Sequence, residues 1–242
     1  FYYLKTYEAL NSNSYEKRWG VESADERSLL KKEIIIPSLK NNFSKPLYNI
    51  SDYNTSNNWF RSHGNNFSTR FSSLNLINKS NVKNLKLAWI YKPEKKLDYI
   101  PNVQANPIFY NGHIFTPNSQ NEILSLDSIT GKEKWKFKVK DGIAAKRGLI
   151  IYNDDTTSRL FFTNNRGLLY CLDANTGQTI KNFGKDGTVK IGVTPIPPII
   201  YEDNLVLVDT DSNLIVINLF NGKVRWKFRV KNEKKNLLFA NF

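Results

Sequence analysis

Two stretches of this chain alternate strictly between apolar and basic residues: Lys134-Trp135-Lys136-Phe137-Lys138-Val139-Lys140 and Val224-Arg225-Trp226-Lys227-Phe228-Arg229-Val230. Successive side chains of a strand point to opposite faces, so each stretch puts Trp, Phe and Val on one side and cations on the other. The alternation predicts a strand with one buried face. Its basic face reads either as a binding patch or, the reading favoured here, as an edge that Lys guards against pairing with other chains.

Shorter apolar runs precede each stretch in a fixed order. The first unit reads Pro107–Phe115, Ile123–Asp127, then Thr130-Gly131-Lys132. A second reads Arg159–Phe162, Leu168–Asp173, then Thr176-Gly177-Gln178, and a third reads Pro198–Tyr201, Leu205–Val208, Leu214–Asn218, then Asn221-Gly222-Lys223. Gly131, Gly177 and Gly222 stand 46 and 45 residues apart. Asp127, Asp173 and Asn218 each sit four residues before their glycine, placed to bond the turn backbone. A period of about 45 residues with several short strands per unit predicts an all-β fold, a β-propeller of blades with four antiparallel strands. The blade units fall at about 85–140, 141–190 and 191–230, with Leu85–Tyr91 as a leading strand. The middle unit departs from the pattern, since Lys181 stands where the others carry Trp, so different packing is expected there.

Residues 1–58 show no such repeat and read as an N-terminal extension of helix and loop. Tyr2–Tyr15 is compatible with a short helix, Ser23-Ala24-Asp25-Glu26 forms a capping box ahead of a helix ending before Pro37, and residues 38–58 are loop-like. Residues 59–242 then form an incomplete propeller. Three units and a leading strand are fewer than a ring needs, and Lys231–Phe242 begins a further unit, so the chain is expected to be the N-terminal portion of a longer protein.

Composition changes this picture little. The chain has 242 residues, 40% hydrophobic, enough for a packed core, and the 13% aromatic content suits strands. Its net charge of +13 invites nucleic acid or an anionic surface, but no nucleic-acid motif accompanies it, and a solvated Lys-rich surface is the simpler reading. The single cysteine, Cys171, lies in an apolar run and reads as a buried inert thiol. The two histidines, His63 and His113, form no cluster with zinc spacing, and no metal ligands or catalytic residues are assigned within the chain.

One segment carries more specific information. It runs Trp59, Gly64-Asn65-Asn66, Arg70-Phe71-Ser72-Ser73-Leu74, Ile77-Asn78, then Asn81-Val82 and Leu85-Lys86-Leu87-Ala88-Trp89. This order resembles the N-terminal signature of the pyrroloquinoline quinone (PQQ) dependent, or quinoprotein, dehydrogenases. Arg147-Gly148-Leu149 and Phe183-Gly184-Lys185-Asp186-Gly187 are similar to further motifs of that family's glucose, quinate and alcohol members. The resemblance implies an eight-bladed propeller with PQQ on its axis, usually with Ca²⁺, oxidising an alcohol, polyol or sugar. It further implies a periplasmic location, with membrane association through an upstream segment, and a membrane or cytochrome electron acceptor.

Carried onto this chain, the resemblance implies a PQQ-contacting Arg147 and, at the place of a quinone-contacting Glu, Gln104. Each has a plainer alternative, as loop support for Arg147 and as a polar loop residue for Gln104. The family's catalytic Asp and the Trp beneath the quinone belong to later blades. Several expected groups are replaced: a vicinal cysteine pair by Asp141 and Gly142, a His by Ile143, and a Thr or Ser donor by Pro195 or Ile196. The loop supplying a Ca²⁺-binding Glu gives way to Val208–Leu214, where Asp209 or Asp211 serves a cation or, more simply, a strand connection. These departures keep a second function open, a non-catalytic propeller of the same ancestry acting as a protein-interaction scaffold.

Overall fold

The computed structural model describes residues 58–65, 68–93, 104–144, 147–154, 156–194 and 196–230. The expected helices at 2–15 and 23–36, the loop at 38–57 and the unit beginning at Lys231 lie outside the described residues. Three antiparallel four-stranded sheets make up the rest. The first comprises β1 (Ile108–Tyr110), β2 (His113–Pro117), β3 (Glu122–Asp127) and β4 (Glu133–Lys138) in that order. The second comprises β5 (Ile150–Asn153), β6 (Ser158–Thr163), β7 (Leu168–Asp173) and β8 (Thr188–Lys190), and the third β9 (Ile199–Tyr201), β10 (Asn204–Val208), β11 (Asn213–Asn218) and β12 (Val224–Arg229). Each sheet is one sequence repeat, as a propeller requires.

Turn chemistry sets the register within each sheet. Asn111 and Gly112 both have positive φ, 48° and 75°, the conformation of a two-residue hairpin that matches strand twist, and Tyr110 pairs with His113 across it. The turns after β3, β7 and β11 are held by Asp127, Asp173 and Asn218, whose side-chain oxygens accept backbone N–H groups two and three residues ahead. A second repeat of this kind escapes the apolar pattern. Asn118, Asn164 and Asp209 end β2, β6 and β10, and each accepts backbone N–H groups two and four residues on.

The middle sheet is buried on both faces, which is why β6 is buried along its whole length. Leu160, Phe162, Tyr170 and Leu172 pack with Ile108, Phe115 and Ile123 of the first sheet. Phe161, Leu169 and Cys171 point the other way, onto Leu205, Leu207, Ile215 and Ile217 of the third. The side chains of β4 divide as the alternation predicts, with Trp135 and Phe137 half-buried against the first core and Lys134, Lys136 and Lys138 exposed. On β12 both faces are exposed, and Trp226 and Phe228 show 48% and 60% of their surface.

Tryptophans are seated on turn glycines, and one of them, Trp135, joins two sheets. A β-carbon on Gly131 would lie 2.5 Å from the Trp89 ring, and one on Gly177 would lie 2.6 Å from Trp135. Each indole N–H also reaches a carbonyl of the same turn, Ser128 at 3.1 Å and Ala174 at 3.0 Å. At the third glycine, with Lys181 in place of Trp, Val189 and the Gly184 backbone close over Gly222, and Gly184 donates to the Asn221 carbonyl at 2.9 Å. Phe183 is fully buried beside Phe161, and β8 is thereby pushed later in the chain than its counterparts. The expected leading strand is corrected as well. Residues 85–93 hold the docked Trp89 but form no strand, because no neighbouring strand among the described residues offers them a ladder.

Candidate functional site

The candidate site is built where the first strands of the sheets converge. A short segment beginning at Trp59 covers the free edges of two of them. Trp59 exchanges both backbone hydrogen bonds with Phe109 of β1, at 2.7 and 3.0 Å, and the Phe60 carbonyl accepts the Ile151 N–H of β5 at 3.0 Å. The chain then reverses between Arg61 and Gly64, closed by the Gly64 N–H on the Arg61 carbonyl at 2.9 Å. Gly64, at φ 89°, packs against the Trp59 ring, where a β-carbon would lie a tight 3.3 Å away and in a backbone conformation that favours glycine.

Ser62, in that turn, touches the loops on either side. Its hydroxyl donates to the Arg147 carbonyl at 3.2 Å, just before β5, and its own carbonyl accepts the Asn106 side-chain amide at 3.3 Å, just before β1. Gly148 has φ 134°, and a β-carbon there would fall 2.3 Å from the Ser62 hydroxyl. Pro197, leading into β9, is the next neighbour of that point. Arg147 and Gln104 therefore occupy corresponding places, on the loops entering the first strands of adjacent sheets, with Gln104 exposed and Arg147 half-buried. The turn at Ser62 brings these two loops together. Ser62 and Asn106 carry no signal in the apolar pattern, and only Ser62's place inside the Trp59–Gly64 motif pointed to this region.

A cavity of about 250 Å³ lies beside the same segment, with Phe60, Arg61, Asn65, Ile151, Tyr152 and Ile200 in its lining. Neither Arg147 nor Gln104 lines it. Burial lowers the Arg61 pKa from its ordinary value. Other polar groups in the sheets have structural duties. The Asp209 carboxylate is buried and accepts the backbone N–H groups of Asp211 and Asn213, and both its oxygens lie within hydrogen-bond reach of the Asn213 amide nitrogen, with Lys227 at 3.6 Å. His113 stands half-buried at the start of β2, 3.5 Å from the Ser125 hydroxyl. A hydroxyl does stand one position before Pro195 in the sequence: Thr194 is buried, and its hydroxyl donates to the Ile196 carbonyl at 3.2 Å. Among the described residues, no group of three or more His, Cys, Asp or Glu could hold a metal ion.

Repeated four-stranded sheets, a tryptophan of one sheet docked on a turn glycine of the next, and loops drawn together at the first strands define a β-propeller. A family model of PQQ-type glucose/ethanol/alcohol dehydrogenase β-propeller domains matches residues 59–195, and the chain belongs to this family. It is 34% identical over 129 residues to the quinohemoprotein alcohol dehydrogenase ADH IIB of Pseudomonas putida, covering 49% of this chain and 18% of that protein. It is 26% identical over 215 residues to the quinoprotein glucose dehydrogenase of Gluconobacter oxydans, covering 70% of this chain and 27% of the relative. The crystal structure of quinohemoprotein alcohol dehydrogenase from Comamonas testosteroni is similar in fold, with a TM-score of 0.52 and 22% identity over 71% of this chain and 27% of that one. The chain thus spans less than a third of the length of these relatives.

Proposed function

We propose that this chain supplies the opening blades of a PQQ-dependent dehydrogenase that oxidises an alcohol, polyol or sugar. The observation that carries the reading is the family match together with the placement of Arg147 and Gln104 on loops tied to one turn. PQQ presents three carboxylates and an ortho-quinone, so it calls for a cation and amide donors at its rim. The side chains at this end are of that kind. Arg147 would clamp a carboxylate through two parallel N–H bonds, and Gln104 would donate its amide to a carboxylate or quinone oxygen. When bound, PQQ supplies the hydride-accepting quinone. Ca²⁺, which relatives of this kind are expected to use beside PQQ, has no cluster of three or more His, Cys, Asp or Glu to hold it among the described residues. A periplasmic location and a membrane or cytochrome electron acceptor belong to the same proposal.

The test is a PQQ titration of the full-length protein, followed by tryptophan fluorescence and by dye-linked oxidation of alcohols and sugars. Saturable binding that weakens at least tenfold in Arg147→Ala, the order expected for a charged hydrogen-bonded pair, supports the enzyme. A folded full-length protein that binds no PQQ removes the enzyme reading and leaves the non-catalytic scaffold.

A further inference from the structure

We propose that Ser62 is the positioning residue for Arg147, holding the root of that side chain from the turn between Arg61 and Gly64. The inference rests on the PQQ reading of Arg147 and extends it to a residue outside both candidate loops. Three observations support it. The Ser62 hydroxyl donates to the Arg147 carbonyl at 3.2 Å, across 85 residues of sequence. Residue 148 is glycine at a place where a β-carbon would fall 2.3 Å from that hydroxyl, so the side chain that would block the contact is absent. The turn carrying Ser62 is itself anchored, through Trp59 on β1 and Phe60 on β5.

Long cationic side chains lose much rotamer freedom on binding an anion, and fixing the backbone beneath them removes part of that loss beforehand. The backbone of Arg147 is fixed here by a hydroxyl from the turn between Arg61 and Gly64, not from its own loop. The Asn106 amide on the Ser62 carbonyl links the loop of Gln104 to the same turn, so one residue sets the spacing between both proposed PQQ contacts. The glycine of the Arg147-Gly148-Leu149 motif thereby acquires a physical reason. It admits the serine that holds the arginine.

The experiment measures the PQQ dissociation constant of the full-length protein by tryptophan quenching, for wild type, Ser62→Ala, Ser62→Thr, Arg147→Ala and the Ser62→Ala/Arg147→Ala double variant. The melting temperature of each cofactor-free protein is measured alongside. Ser62→Ala is expected to weaken PQQ by about tenfold, the scale of one lost hydrogen bond with its preorganisation, at an unchanged melting temperature. Ser62→Thr keeps the hydroxyl and should bind within about twofold of wild type on the same reasoning. In the Arg147→Ala background, Ser62→Ala should add nothing, because a residue acting through Arg147 has nothing left to act on. An unchanged constant in Ser62→Ala overturns the positioning role and leaves the proposed function standing. So does a penalty that persists undiminished beside Arg147→Ala, or one matched by a fall in melting temperature. Wild-type protein that binds no PQQ overturns both.

Discussion

Trp135 of one sheet lies against Gly177 of the next, its indole N–H on the Ala174 carbonyl at 3.0 Å, and Trp89 stands in the same relation to Gly131. The indole fits because the glycine has no side chain, and the turn closes because glycine accepts φ 71°. The apolar seam between sheets and the turn within a sheet thus meet at one residue.

Gly177→Ala should therefore be costly twice over. The added methyl meets the Trp135 ring at 2.6 Å, and the backbone stays in the left-handed region. Left-handed strain and overpacking together amount to about 2–4 kcal/mol. Gly112→Ala is the control, with φ 75° but no atom within 4 Å of the new methyl, and should lose only the backbone share of about 1–2 kcal/mol. Thermal unfolding of the two variants checks the difference, and equal losses would show that the indole yields freely.

Asn121 fastens the connection between the first two sheets. Its amide donates to the Val139 and Gly142 carbonyls at 3.0 and 2.7 Å, and its oxygen accepts the Ala144 N–H at 2.9 Å. Asn121→Ala removes all three bonds and leaves a left-handed backbone, φ 62°, without the side chain that tolerates it. Stability should fall by about 2–4 kcal/mol, and Asn121→Asp, which sets a carboxylate oxygen against the Val139 and Gly142 carbonyls in place of the donor, should lose at least as much. Denaturant unfolding of the three proteins measures the order.

The fold was legible in the sequence where local chemistry repeats, and less so where contacts come from afar. The alternation in Lys134–Lys140 and the glycines at 131, 177 and 222 announced strands, turns and their period, since both depend on residues a few positions apart. The shift of β8 to Thr188–Lys190 was not legible beyond the missing Trp at Lys181, because it follows from Phe183 and Gly184 packing on a neighbouring sheet. The strand expected at Leu85–Tyr91 failed for the complementary reason, its pattern being right while a pairing partner is lacking among the described residues. At the site, Arg147 and Gln104 were singled out only through resemblance. Ser62 and Asn106, short polar residues that act across 85 and 44 positions, left no local trace. Thr194 was passed over because its hydroxyl lies one residue before the place compared.

Cys171 should resist thiol reagents in the native protein. It is fully buried between the second and third sheets, and desolvation pushes its pKa up to about 12. Against an ordinary value of 9.0 this leaves about a thousandfold less thiolate at neutral pH, and the thiolate is the reacting form. A colorimetric thiol assay should read no cysteine in the folded chain and one after denaturation. Rapid native labelling would mean that the second and third sheets separate readily.

Asp209 predicts how the third sheet responds to acid. Burial acts to raise its pKa, but hydrogen bonds from Asn213 and Asp211 and the nearby charge of Lys227 outweigh it and hold the carboxyl below its ordinary 3.8. A carboxyl depressed in the folded state stabilises fully above its unfolded pKa, and that stabilisation is lost as pH falls through the lower folded value. Asn118 and Asn164 fill the corresponding turns of the other sheets with neutral amides, so Asp209→Asn keeps the turn bonds while removing the titration and the attraction to Lys227. At pH 7 the variant should be less stable than wild type. Between about pH 4 and pH 2, around and below the carboxylate range, wild type should lose stability faster, so that the two melting curves converge. Parallel curves down to pH 2 would mean that the Asp209 carboxylate contributes no charge-dependent stability, and that the turn is held by its shape alone.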